Sequence, residues 1–171
     1  MRFITLCLLP IAACGPNGQV PSFSLEDVNE ASATFGQELG PQDFEGQVSA
    51  WYFGLATCPI CQRHIDELDA MAGRLANDQP NLAITVLGIN QWGRESANAD
   101  ITEGHTIAWL QDTEDKDVWA KWPPAVTREL KIVGPDLIVA ATFDLNVRDP
   151  GDESVQNEIE AALIDLASAE E

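Results

Sequence analysis

Two residues separate Cys58 from Cys61 in Ala56-Thr57-Cys58-Pro59-Ile60-Cys61-Gln62-Arg63-His64, between the apolar run 48–53 and an amphipathic segment, 65–75. A strand that feeds a Cys-x-x-Cys opening a helix is the arrangement that dithiol redox chemistry needs. With Cys58 at the helix cap, Pro59 falls at the first helical position, where its missing N–H costs nothing. The unpaired amides and positive dipole end of such a helix favour thiolate over thiol at Cys58, lowering its pKa below the free value of ~8.5. Cys61, Ile65, Leu68, Ala72 and Leu75 are spaced 4, 3, 4, 3, one face of a helix. Cys61 therefore heads the buried stripe and Cys58 sits at the exposed tip. The expected roles are attacking thiolate for Cys58 and resolving thiol for Cys61, with Arg63 adding positive charge within about a turn.

Two other readings use the same residues. His64 lies one turn beyond Cys61, so Cys58, Cys61 and His64 form a candidate ligand set for copper or zinc, with His105 as a distant fourth. The plain expectation for His64 is a partly exposed helix histidine, and for metal, none. A redox-inert binding module is the remaining alternative. A structural disulfide is disfavoured, because closing a four-residue loop gains little. Trp51, Trp109, Trp119 and Trp122 read as core, and Trp92, in a polar loop, as a rim residue.

The elements that must position the pair follow from the hydropathy pattern. Residues 23–29 alternate as a short strand, with a second extended piece near 34–36 and a turn at 43–46. The run 48–53 is apolar on both faces, as a buried strand is. The run 81–90 is a second buried strand, and the strand–helix–strand order implies a right-handed parallel crossover. Residues 91–105 form a polar loop. A short strand at 106–110, a short helix at 115–122 ended by Pro123-Pro124, a hairpin over 129–143 around Gly134-Pro135-Asp136, and a helix over 152–167 complete the order. The fold class is α/β, a mixed central sheet with helices on both faces and a short N-terminal β extension.

The chain has 171 residues, enough for one sizeable core, and a formal charge of −19 from 28 acids and 9 bases. It has no basic patch, so nucleic acid is not an expected partner. Met1-Arg2 followed by the apolar stretch 3–12 is too short to span a bilayer. It ends in Ile11-Ala12-Ala13-Cys14, which resembles the lipoprotein signal of bacteria. That resemblance implies cleavage before Cys14, lipid on Cys14, and export to the envelope on a membrane anchor. The expected division is a signal at 1–13, a tether at 14–22 and one domain at 23–171. Cys7 leaves with the signal and Cys14 carries lipid, which leaves one Cys-x-x-Cys for chemistry.

Motif and layering together resemble the thioredoxin fold. The extension through Phe35-Gly36 and Asp43-Phe44-x-Gly46 is similar to the start of membrane-anchored redoxins. Ile89-Asn90-Gln91-x-Gly93-x-x-Ser96, Ile107-Ala108-Trp109-Leu110-Gln111 and Asp117-Val118-Trp119 resemble the N-terminal thioredoxin-like domain of selenoprotein P, with Cys58 where that family carries selenocysteine. The resemblance implies a thiol–disulfide oxidoreductase whose working group is the Cys58–Cys61 disulfide, with no other cofactor. It implies a thiol or disulfide protein substrate, a membrane redox donor and, as a variant, peroxide reduction. Where thioredoxins place a cis-proline, the chain has Thr127-Arg128, which would put Arg128 close to Cys58. Where many bury an acid, it has Tyr52.

Overall fold

The computed structural model describes residues 18–124 and 126–169. The expected signal, Cys7 and Cys14 lie outside them. The strands are β1 (Leu25–Asp27), β2 (Glu38–Leu39), β3 (Val48–Gly54), β4 (Ile84–Asn90), β5 (Ala108–Gln111), β6 (Glu129–Val133) and β7 (Val139–Asp144). The helices are α1 (Pro59–Asp78), α2 (Asn98–Thr102), α3 (Val118–Lys121) and α4 (Glu153–Ser168), with 3-10 turns at Pro41–Phe44 and Glu95–Ala97. The strands form one sheet in the order β2-β1-β5-β4-β3-β6-β7. β3, β4 and β5 run parallel, and β6, β7, β1 and β2 pair antiparallel with their neighbours.

β3 is central and every one of its residues is buried. Because side chains alternate across a sheet, its residues divide between two cores. Val48, Ala50 and Tyr52 face a core built with α1, α4 and Ile101 of α2. Trp51 and Phe53 face the other, with Val118 and Trp122, over which the N-terminal segment and Phe44 pack. The sheet is thus covered on both sides, by long helices on one and by short elements on the other. The rings of Trp51, Trp122, Phe23 and Phe44 meet at centroid distances of 5.6–5.9 Å, in edge or tilted contacts.

The expected β3–α1–β4 crossover is present. The polar loop after β4 is more structured than its composition suggests, because it forms the second parallel crossover, to β5. Ile101 is its buried anchor, and Asn98 accepts from Trp109 Nε1 at 3.1 Å and donates to Gln111 at 2.8 Å. The second extended piece lies at β2 rather than at 34–36. Residues 34–36 make a turn, closed by Gly36 N–H donating to Asp27 O at 2.8 Å with Gly36 at φ +73°. The end of the expected tether is also docked. Gln19 bridges Ile138, and buried Val20 donates its N–H to Leu137 O at 2.9 Å. On α1 the buried stripe is Cys61, His64, Ile65, Leu68, Met71 and Leu75, with Ala72 at its edge.

Gly88 lets β4 accept the Trp109 indole from β5. A Cβ at Gly88 would lie 2.3 Å from two ring carbons of Trp109, itself 2% exposed. Gly88→Ala is therefore expected to destabilise the fold by about 1–3 kcal/mol, read from the urea midpoint at unchanged m-value.

Candidate functional site

α1 begins where the sequence places it. Cys58 is the N-cap, extended at φ −102°, ψ 115°, and Pro59 opens the helix. The Cys61 N–H donates to the Cys58 sulfur at 3.4 Å. Cys58 is partly exposed and Cys61 fully buried, and both are free thiols. The turn between β3 and α1 is fixed by Asn90 at the end of β4. Its Oδ1 accepts from Ala56 N–H at 2.9 Å, and its amide donates to Asn98 and Gln111 at 2.9 and 2.8 Å. Gln62 adds a bond to Ala56 O at 3.3 Å. Asn90 was legible only as part of a motif; its function is to pin the backbone that presents Cys58.

Arg128 arrives from the loop before β6, with Nη1 donating to the Cys58 sulfur at 3.7 Å. Its backbone is held in the left-handed region at φ +69°. The bonds that hold it there run from Arg128 N–H to Phe53 O at 2.8 Å and from Leu145 N–H to Arg128 O at 2.9 Å. Asn146 receives the other arm of the guanidinium and donates to Thr127 O at 2.8 Å. Among the described residues no peptide bond is cis. Arg128 thus occupies the place beside the thiol by a left-handed turn, and it brings a charge.

The two sulfurs are driven apart in acidity. Burial opposes the Cys58 thiolate, but hydrogen bonds from the Cys61 thiol and amide, from Arg128 and from the Ile60 amide outweigh it and lower the pKa. Burial pushes Cys61 up to about 11, with the adjacent Cys58 acting in the same direction. The two thiols are thus unequal in acidity.

Arg63 turns its guanidinium to an acid: it is half exposed and forms an ion pair with Asp149 at 2.8 Å. His64 differs from expectation. It is buried rather than partly exposed, with Nδ1 3.2 Å from the Tyr52 hydroxyl. Burial holds the imidazole pKa down at about 4, so the ring is neutral. Among the described residues no group of three or more His, Cys, Asp or Glu side chains is placed to hold a metal ion, and His64 turns its Nδ1 to Tyr52. His105 is spent elsewhere, bonded to Asp66 at 2.8 Å and to Ile101 O at 2.9 Å. Trp92 stands in the turn after β4, at 43% exposure, and Ile60 between the cysteines at 46%, so both present apolar surface. Trp51, Trp109 and Trp122 are buried in the core as expected, and Trp119 is partly buried against it.

Replacing Arg128 by glycine separates its two properties. The left-handed backbone suits glycine, so Arg128→Gly is expected to change stability by no more than about 1 kcal/mol. The Cys58 thiolate loses a cationic donor, so its alkylation by iodoacetamide shifts to higher pH than in the parent. An unshifted pH profile contradicts the assigned contact.

No protein-family model and no curated sequence matches the chain. Solved structures do. A secreted disulfide oxidoreductase of Mycobacterium tuberculosis, described as homologous to DsbE of E. coli, aligns over 84% of this chain and 96% of its own at 17% identity and TM-score 0.61. The thioredoxin domain of a thiol-disulfide oxidoreductase of Bacteroides vulgatus aligns over 90% and 99% at 16% identity and TM-score 0.62. A secreted thiol-disulfide isomerase of Corynebacterium glutamicum aligns over 86% and 84% at 21% identity and TM-score 0.65. The chain therefore has the thioredoxin fold.

Proposed function

We propose that this protein is a thiol–disulfide oxidoreductase that works through the Cys58–Cys61 pair. The observation that carries the reading is the asymmetry of the two sulfurs. Cys58 is reachable, lies 3.4 Å from the first-turn amide of Cys61 and 3.7 Å from Arg128, and has its pKa lowered. Cys61 is buried with its pKa pushed up to about 11. In the reducing direction Cys58 thiolate attacks a substrate disulfide, one substrate sulfur leaves, and a mixed disulfide forms. Cys61 then attacks Cys58, releasing the second substrate sulfur and closing the Cys58–Cys61 disulfide. In the oxidising direction the same steps run in reverse.

Asymmetry of this kind suits a protein substrate, and Ile60 and Trp92 offer exposed apolar surface while Thr127 edges a shallow groove with Gln91 and Trp119. The Ile11-Ala12-Ala13-Cys14 segment supports export and a lipid anchor on Cys14, with the domain facing the envelope and a membrane redox donor as electron partner. The solved secreted proteins of the same fold are consistent with an exported site of action. The likeness to the selenoprotein P domain supports peroxide as a further oxidant. In that case Cys58 becomes a sulfenic acid that Cys61 condenses to the disulfide with loss of water.

Serine substitutions test the assignment of roles. Cys61→Ser is expected to accumulate mixed disulfides with a disulfide-bonded protein substrate, visible on non-reducing gels and dissolved by reductant, whereas Cys58→Ser is expected to trap none. Equal trapping by both variants, or by neither, contradicts the proposed order of attack.

A further inference from the structure

The loop beside Cys58 has its main-chain groups engaged and one charge to spare. The Arg128 N–H donates to Phe53 O at 2.8 Å, the Arg128 carbonyl accepts from the Leu145 N–H at 2.9 Å, and the Thr127 carbonyl accepts from the Asn146 amide at 2.8 Å. What remains for a substrate is the guanidinium of Arg128, a partly buried residue. Its Nη1 lies 3.7 Å from the Cys58 sulfur and its Nη2 is held by Asn146, which fixes the charge beside the reacting atom. Arg63, Arg74, Lys116, Lys131 and Arg148 each pair with a carboxylate. Among the described residues Arg128 pairs with none, and its buried Nε meets no acceptor. In a chain of 28 acids and 9 bases, the anion in contact with this cation is the Cys58 thiolate.

Oxidation removes that anion, because the Cys58 sulfur is neutral in a disulfide, and the Arg128 charge is then left facing whatever has bound. We propose that Arg128 is a specificity-determining residue that selects disulfides, and in the reverse direction thiols, carrying a carboxylate next to the reacting sulfur. This rests on the oxidoreductase reading above. The Cys58 thiolate attacks one sulfur of the substrate disulfide and forms a new S–S bond to it. The substrate S–S bond breaks, and its electron pair leaves on the other sulfur as thiolate. Negative charge has then moved off Cys58, and the carboxylate of the attached half takes its place against the guanidinium. Cys61, after giving its proton to solvent, attacks Cys58, closes the Cys58–Cys61 disulfide and releases the second substrate sulfur as thiolate. The two cysteines lose two electrons and the substrate gains them, with no further reagent. In reverse, Arg128 attracts the incoming carboxylate and stabilises the Cys58 thiolate as it leaves.

The acids around this loop do not cancel the charge by contact. Asp144 and Arg128 interact through space only, and Asp144 Oδ1 accepts the Asn146 N–H and amide at 2.9 and 2.6 Å. Asp149 is paired with Arg63. The other acids give the chain its formal charge of −19, which disfavours anions at long range. Exposed charges more than about 8 Å apart are largely screened at physiological salt, whereas a carboxylate one or two carbons from a Cys58-bound sulfur meets Arg128 inside that range.

The test uses the reduced full chain at physiological salt and two small disulfides, dithiodipropionate with its carboxylates and cystamine with its ammonium groups. Oxidation of the protein by each is followed by acid quench, alkylation of remaining thiols and mass. The readout is the ratio of the two rates within one protein, from which the thiolate fraction and nucleophilicity of Cys58 cancel. In Arg128→Gly the anionic-to-cationic ratio is expected to fall about tenfold, since one disulfide loses an attraction and the other a repulsion. Arg128→Lys, which keeps the charge, is expected to hold the ratio within about threefold of the parent. A ratio in Arg128→Gly within about twofold of the parent, or an equal loss in both variants, overturns the proposal. Two disulfide-bonded peptides, identical but for glutamate or lysine beside the half-cystine, distinguish the sources of the carboxylate. The same Arg128-dependent ratio assigns it to protein disulfides flanked by acidic residues, and a ratio seen only with the small pair assigns it to small carboxylated disulfides. Oxidation by both disulfides at a ratio independent of Arg128 removes the selection and leaves the oxidoreductase reading. Failure of both to close the Cys58–Cys61 disulfide in the parent removes that reading itself.

Discussion

Everything chemical in this molecule depends on a sulfur being the N-cap of its longest described helix. The Cys58 side chain stands where a serine or aspartate oxygen stands in other helices and accepts the N–H of Cys61 at 3.4 Å. A cap of this kind stabilises an anion, because the first amides have no carbonyl partners and the peptide dipoles sum toward them. Pro59 reinforces it by opening the helix without an N–H to satisfy. Arg128 is the second contributor, a full charge held close by a left-handed backbone. Burial works against both, and the net effect is a lowered Cys58 pKa.

The rest of the fold keeps that cap in place. β3 is hydrogen-bonded on both sides, to β4 in parallel and to β6 antiparallel, so its end is fixed against sliding. Two-sided burial locks its parity as well, since a one-residue slip would move Tyr52 into the Trp51–Trp122 core and Phe53 against Cys61. Asn90 then ties the strand-to-helix turn to the next strand, and Gln111 and Asn98 tie Asn90 to the crossover beyond. A second set of buried polar groups performs the same service at a distance. Asp27 accepts from Trp109 N–H and Thr34, and Asp112 accepts from Val118 and Trp119 N–H, each closing a junction that apolar packing leaves open.

Local chemistry was the legible part of the sequence. Cys58, Pro59 and Cys61 declare a helix start by residue type and spacing, and the apolar runs declare the buried strands and the hairpin. Arg128 was found by counting back from a hairpin turn, which works because that turn sets register. What stayed hidden depends on contacts between elements far apart in the chain. His64 sits beside the Cys61–Ile65 stripe, and helical spacing alone leaves it at the border between water and core; Tyr52, from a strand, decides the matter. Arg63 lies near Cys58 in sequence, but its long side chain reaches Asp149 beyond β7. Composition made residues 91–105 look like loop, because the small helix there is held by side-chain amides rather than by an apolar stripe.

One fold gives these two neighbouring thiols opposite shifts in acidity. The most direct measurement is a pH titration of thiolate ultraviolet absorbance in the fully reduced protein, with a Cys58→Ser, Cys61→Ser double variant subtracted as the baseline. Two separate steps are expected, one below the ordinary thiol value and a second near 11. A single two-proton step at the ordinary thiol pKa would contradict it.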